Sequence, residues 1–166
     1  MNLYDELKYR GFIDNITSDQ LIEKLNTKSL CYYIGFDPSA DSFHIGQYAV
    51  FNLMRILSRH GHKTIALMGG ATGMIGDPSG KNKERNLLDE EQLQHNISKL
   101  EEQFKKFLDF SSSKTIILNN HDWLGKFSFL DFLRDVGKNF SVNTMIARDS
   151  VSSRLNREGE GITFTE

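Results

Sequence analysis

Three short apolar runs constrain this chain more than anything else in it. They are Leu30-Cys31-Tyr32-Tyr33-Ile34, residues 64–68 and residues 115–118. Each has the length and apolar content of a buried strand. Two long stretches of helical spacing separate them. In residues 44–60 the apolar side chains Ile45, Ala49, Leu53, Ile56 and Leu57 share one face, with Ser42 as a candidate cap and Gly61 as the stop. In residues 88–108 a charged helix carries Leu93, Ile97, Leu100, Phe104, Phe107 and Leu108 on its apolar side. Strand, helix, strand, helix, strand predicts an α/β fold: a Rossmann-like, doubly wound parallel sheet with right-handed crossovers and helices on both faces. Further helices are predicted over 2–10, ending at Gly11, over 19–25 after a Ser18 or Thr17 cap, over 128–136 after Ser128, and over 142–155. Residues 69–80 read as a glycine-rich loop and residues 156–163 as a polar tail.

Ligands of such sheets bind beyond the carboxyl ends of the strands. Here those ends are residues 33–37, 69–77 and 119–122. Eight of the 13 glycines fall between Gly35 and Gly80, and the only two prolines, Pro38 and Pro78, each follow an aspartate in the same stretch. Glycine and proline set tight turns and let backbone approach a ligand, so the chemistry is expected there.

Composition excludes several other classes. The 166 residues are one domain by length, and 20 Lys+Arg against 22 Asp+Glu offer no global positive field for nucleic acid. Cys31 is the only cysteine, which rules out an intrachain disulfide and Cys-rich zinc clusters and points to a reducing compartment. No apolar run nears the roughly 18 residues of a membrane span, and no basic-then-apolar leader opens the chain. A cytoplasmic protein without a membrane partner is expected. No metal site is expected either. His60 and His62 read as partners of a helix C-terminus, not as ligands.

Two loops carry the candidate chemistry. Gly35-Phe36-Asp37-Pro38-Ser39-Ala40-Asp41-Ser42-Phe43-His44-Ile45-Gly46-Gln47 joins the first strand to the first long helix. A helix N-terminus with Ser39 and His44 beside it suits phosphate, and Gly46 leaves room for a flat base or ribose. The alternative is that Asp41 or Ser42 merely caps the helix and Gly46 is a tolerated glycine. The second loop runs Gly69-Gly70-Ala71-Thr72-Gly73-Met74-Ile75-Gly76-Asp77-Pro78-Ser79-Gly80-Lys81. It is not a Walker A loop, because Ile75 stands where that pattern needs glycine. Ala71-x-Gly73-x-x-Gly76 is a partial dinucleotide fingerprint, broken by Asp77-Pro78. Asp77 suits an ammonium-bearing ligand, or it is a turn or cap aspartate. Lys81, Lys83 and Arg85 could clamp a polyphosphate, or form a solvated face. Trp123 and residues 127–132 look like core or interface aromatics.

Taken together, the 35–47 string, residues 69–81, Asn119-Asn120-His121-Asp122-Trp123 and residues 132–143 resemble the bacterial-type tyrosyl-tRNA synthetase family of class I, with its HIGH motif at 44–47. The resemblance spans the whole chain, and it implies the following. Tyrosine and ATP would give tyrosyl-adenylate and pyrophosphate, and tyrosine would pass to tRNA(Tyr). Tyr33, Gly35, Asp37, Thr72, Asp77 and Asn120 would bind tyrosine, with Tyr33 on the phenol and Asp77 on the ammonium. His44 and Ser39 would meet the departing phosphates, Lys81 and Arg85 would close over pyrophosphate, and Gly46 and Gln47 would contact adenosine. Mg2+ would accompany ATP without a protein cage, and the partner chain would be a second copy in a homodimer.

Gln47 departs from the family's final histidine, and Ser39 stands where threonine is common. Family members continue past residue 166 with a KMSKS-type loop and tRNA-binding domains. The chain is therefore expected to be the N-terminal portion of the catalytic domain, with the sheet incomplete at its C-terminal end and little activity alone. Two other classes stay open: a nucleotide-binding oxidoreductase domain, and a non-catalytic binding or dimerisation module.

Overall fold

The computed structural model describes residues 1–75, 89–111, 114–148, 151–152 and 155. Helices α1 (Leu3–Tyr9) and α2 (Asp19–Thr27) precede β1 (Cys31–Phe36). Then come α3 (Ile45–Arg59), β2 (Lys63–Met68), α4 (Gly70–Ile75), α5 (Glu90–Phe107) and β3 (Thr115–Asn119). Short helices α6 (His121–Leu124), α7 (Phe129–Asp131) and α8 (Val142–Ile146) follow. The strands are parallel in the order β1-β2-β3, with Tyr33 opposite Ile65 and Ala66 opposite Ile117. The expected parallel α/β, Rossmann-like architecture is what the chain adopts.

Period-two alternation divides the sheet into two unlike faces. Phe36, Ala66 and Met68 point into a core completed by Phe51 and Met54 of α3 and by Leu93, Ile97, Leu100 and Phe104 of α5. Both crossover helices lie on this one face, as right-handed crossovers between successive neighbours require. The other face shows Tyr33, Ile116 and Leu118 to solvent. So among the described residues the sheet is covered on one side, not on the two expected. A second cluster, Leu3, Leu7, Ile56 and Leu57, fixes α1 to the far side of α3.

Local signals explain the element ends. Asn2, Ser18 and Asp89 cap α1, α2 and α5 by accepting from Asp5, Gln20 and Gln92 N–H groups. Gly11 and Gly61 take φ of +74° and +86° just past α1 and α3, a conformation that favours glycine.

Four expectations change. Residues 70–75 are helix, not loop, because side chains from beyond β3 hold the first-turn N–H groups, as described below. His121–Leu124 forms a helix that no periodicity announced. The expected helix over 128–136 is three α-helical residues followed by a π turn over Phe132–Val136 and a 3-10 turn over Gly137–Asn139. The expected helix over 142–155 is interrupted: it runs over Val142–Ile146, leaves the helix at 147–148, and residues 151–152 and 155 are helical again.

The two histidines also separate. His60 pairs with Glu6 at 3.1 Å. His62 is 1% exposed, and its Nδ1 accepts from the Leu30 N–H at 3.1 Å. It is a core histidine, not the helix-dipole partner expected. Burial pushes its pKa below the ordinary histidine value, so folding favours the neutral ring. Its contribution is complete above the unfolded pKa of about 6.5 and is lost as pH falls below that value. Thermal unfolding from pH 8 to 5 should show the melting temperature dropping at the acid end. His62→Asn supplies an oxygen acceptor to Leu30 without a titrating ring, so its profile should be flatter, at a cost of about 1–2 kcal/mol throughout. Parallel profiles for the two proteins would remove His62 from this role.

Candidate active site

The three strand ends meet side by side. Gly69 N–H donates to Phe36 O at 2.9 Å and Asn120 N–H to Met68 O at 2.9 Å, extending the ladder one residue past the strands. Gly69 has no room for a side chain, since a Cβ there would lie 2.6 Å from Thr72 Oγ1 and 2.7 Å from Asp37 Oδ1. Those two oxygens therefore stand together over the end of β2. Asn120 Nδ2 donates to Thr72 Oγ1 at 3.3 Å, and Asn120 Oδ1 accepts from Ala71 N–H at 2.7 Å. Asn120 is 7% exposed, so both halves of its amide are partnered inside the fold. Asp37, Thr72 and Asn120, which follow three different strands, are thus brought together.

Asn119 belongs to the same arrangement and was not singled out from sequence. Its Oδ1 accepts from Gly70 N–H at 3.2 Å and from His121 N–H at 3.0 Å. A Cβ at Gly70 would collide with the Asn119 amide. The two adjacent asparagines thus take up the N–H groups of Gly70, Ala71 and His121, which open α4 and α6. The available signal was a pair of amide side chains directly after an apolar strand.

The adjacent tyrosines of β1 point to opposite faces. Tyr32 is on the covered side, its hydroxyl 2.7 Å from Thr64 Oγ1 and 3.2 Å from Met54 O, and burial raises its pKa. Tyr33 is 69% exposed on the bare face. Gly35 lies on that same face, and a Cβ placed there would meet nothing within 4 Å. A clear strip of sheet therefore runs from Tyr33 across Gly35 to the half-buried Asp37. It can seat a flat side chain against backbone.

Ser39 is exposed in the loop that follows. At its end His44, not Asp41 or Ser42, is the N-cap of α3. His44 Nδ1 accepts from Gly46 N–H at 3.1 Å, and Gln47 Oε1 accepts from His44 N–H at 2.8 Å. The neutral ring then carries its proton on Nε2, which leaves an N–H donor at the head of a 15-residue helix. A Cβ at Gly46 would come within 3.0 Å of His44 Cε1 and 3.1 Å of Nδ1. Glycine here lets the imidazole lie over the first turn, a reason the sequence reading did not include. Gln47 keeps its Nε2 amide protons for another acceptor.

Asp77, Lys81 and Arg85 lie outside the described residues. No group of three or more His, Cys, Asp or Glu side chains among the described residues could hold a metal ion.

The chain matches the model of the family described as tRNA synthetases class I (W and Y) over residues 25–166. It is 51% identical to the tyrosine–tRNA ligase of Bacteroides thetaiotaomicron, aligned over 100% of this chain and 39% of that protein. Against the tyrosine–tRNA ligase of Flavobacterium psychrophilum the identity is 52%, over 99% of this chain and 39% of that protein. The chain thus spans about two-fifths of the length of these relatives. Its fold superposes on a C-terminally truncated mitochondrial tyrosyl-tRNA synthetase of Aspergillus nidulans with a TM-score of 0.84 at 28% identity, covering 99% of this chain and 49% of that one. The match over residues 25–166, identities near one half and the shared fold agree, and this chain belongs to the class I tRNA synthetases of the tryptophan and tyrosine group.

Proposed function

We propose that the protein to which this chain belongs activates tyrosine with ATP and transfers it to tRNA(Tyr), and that residues 1–166 form the N-terminal part of its catalytic domain. One observation supports this most directly. The Tyr33–Gly35 strip leads to the carboxyl ends of the strands, where the Asp37–Thr72–Asn120 cluster lies, and the His44 cap follows in the loop that leaves β1. An amino acid and a triphosphate could meet there.

In this reading tyrosine lies over Gly35 with its phenol hydrogen-bonded to Tyr33. Asp37, Thr72 and Asn120 line the pocket, and Asp77 pairs with the α-ammonium. A tyrosine carboxylate oxygen bonds to the α-phosphorus of ATP. The bond from that phosphorus to the bridging oxygen breaks, and its electron pair leaves with pyrophosphate. Negative charge grows on the departing phosphates. The Nε2–H of His44, the Ser39 hydroxyl and the positive end of the α3 dipole are suited to meet it. Gly46 and Gln47 contact the adenosine, and Lys81 and Arg85 close over pyrophosphate. Mg2+ accompanies the ATP. A hydroxyl of tRNA then attacks the tyrosyl carbonyl carbon, the bond from that carbon to the phosphate oxygen breaks, AMP leaves with the electron pair, and the hydroxyl proton passes to water.

Exposed apolar side chains, among them Phe129 at 64%, Leu130 at 74%, Phe140 at 61% and Val142 at 61%, support a homodimer contact on this segment. ATP and tRNA as substrates argue for the cytoplasm. The oxidoreductase reading rested on Ala71-x-Gly73-x-x-Gly76 alone, and the tyrosyl relatives leave it without support.

The test is tyrosine-dependent exchange of pyrophosphate into ATP. It is measured on this chain joined to the remaining part of the B. thetaiotaomicron ligase, and no exchange from a folded protein would overturn the reading. Tyr33→Phe should lower the preference for tyrosine over phenylalanine roughly two- to tenfold, the worth of one neutral hydrogen bond. An unchanged ratio of kcat/KM values would take Tyr33 out of the pocket. His44→Ala should slow adenylate formation about a hundredfold, with a smaller change in ATP KM. His44→Asn keeps an acceptor for the Gly46 N–H but lacks the Nε2 donor, so it should fold like the parent and still be slow. A fast Asn variant would reduce His44 to a helix cap.

A further inference from the structure

Two amides on α5 stand where its apolar stripe would take hydrocarbon. Asn96 is 2% exposed beside Leu93, Ile97 and Leu100. Gln103 follows two turns later, next to Phe104. A buried amide costs stability unless its hydrogen bonds are made, and replacing an amide and its partners by apolar groups is often neutral. These two make their bonds across a long stretch of sequence. Asn96 Nδ2 donates to Pro38 O at 3.0 Å, and its Oδ1 accepts from Gln92 Nε2 at 2.8 Å. Gln103 Nε2 donates to Asp41 O at 2.9 Å, while its Oε1 accepts from Phe43 N–H at 3.1 Å.

Three of these four contacts, those with Pro38, Asp41 and Phe43, fall on the loop between β1 and α3. Among the described residues, no backbone–backbone hydrogen bond holds residues 38–43 to the rest of the molecule. The loop has two apolar anchors, buried Pro38 and the ring of Phe43, whose centroid lies 4.9 Å from those of Phe51 and Phe104. Between and beside these anchors the backbone path is set by the α5 amides. Phe43, whose N–H is held by Gln103, directly precedes His44, and Pro38, whose carbonyl is held by Asn96, sits between Asp37 and Ser39.

We propose that Asn96 and Gln103 are positioning residues: they clamp the 38–43 backbone to α5 so that Ser39 and His44 are presented together at the head of α3. The assignment of a catalytic task to those two side chains rests on the function proposed above; the clamp itself does not. Misplacing a reacting group by a fraction of an ångström to an ångström is costly in rate while leaving distant binding contacts intact.

The experiment compares Asn96→Asp, Gln103→Glu and Gln103→Ala with the parent, and uses Leu100→Ala as a core-destabilised control. Asn96→Asp removes the donor to Pro38 O at nearly constant shape. Gln103→Glu keeps the acceptor for Phe43 N–H but removes the donor to Asp41 O, and Gln103→Ala removes both. Two readouts are taken. The first is pyrophosphate exchange in the joined protein described above. The second is the 15N shifts of the His44 ring in this chain, which report the Nε2–H tautomer set by the Gly46 bond. The clamp predicts a fall in kcat on the order of tenfold or more for the three variants at unchanged tyrosine KM. It also predicts a mixed tautomer signature, largest for Gln103→Ala, while Leu100→Ala keeps both parental values at a similar loss of melting temperature. Parental kcat and parental His44 shifts in the variants would overturn the proposal. If the parent shows no exchange, the proposed function fails, and the His44 shifts alone then decide the clamp.

Discussion

Four phenylalanine rings hold together the parts that have to meet at the site. Phe36 ends β1, Phe43 lies in the following loop, Phe51 is on α3 and Phe104 on α5. Their centroids are 4.9–5.6 Å apart, mostly edge to face. Full burial of one such side chain stabilises by about 1.5–3 kcal/mol, and each favourable ring pair adds about 0.5–1.5 kcal/mol. The cluster takes one ring from the loop between β1 and α3 and one from each element that borders it. Packing strength and site geometry are therefore the same thing here, and the loop cannot move without opening the core.

The sheet divides labour by parity. Even-numbered positions of β1, namely Tyr32, Ile34 and Phe36, face the helices, and odd-numbered Tyr33 and Gly35 face open space. A slip of one residue in register would bury Tyr33 and expose Phe36, so the phenylalanine cluster also fixes which tyrosine is available. Tyr32 spends its hydroxyl on Thr64 and Met54 in the interior. Tyr33 stays 69% exposed on the bare face.

Much of this was legible from sequence, and the gaps have identifiable causes. The three strands and two crossover helices follow from apolar runs and a 3.6-residue period, and they appear within one or two residues of expectation. Helix α4 was not legible because Gly70-Ala71-Thr72-Gly73 has poor intrinsic propensity. It forms through amides of Asn119 and Asn120, 49 residues away in each bond. The cap of α3 was assigned to Asp41 or Ser42, the residue types that usually cap, whereas His44 does it with a ring nitrogen. His62 was misread for a related reason: nothing local tells a buried histidine from one at a helix end. Asp37, Thr72 and Asn120 meet at the strand ends, and Tyr33 and Gly35 share the open face of β1. No short-range pattern could have joined Thr72 to Asn120.

The loop from Gly35 to Gln47 is recognisable as a string because two jobs alternate along it. Phe36, Pro38 and Phe43 turn inward or pack on the core, while Asp37, Ser39 and His44 lie beside them with at least part of their surface open. An inward residue fixes the backbone on each side of an outward one, so neither kind can change freely. Substituting Phe43 would shift His44, and substituting Asp37 would alter what Gly69 and Thr72 pack against. Gly46 and Gln47 extend the same logic into the helix, because one makes space for the imidazole and the other receives its backbone N–H. A short motif of this kind carries so much information because each functional side chain is oriented by neighbours that are themselves structural, and the amides of α5 extend that support beyond the motif.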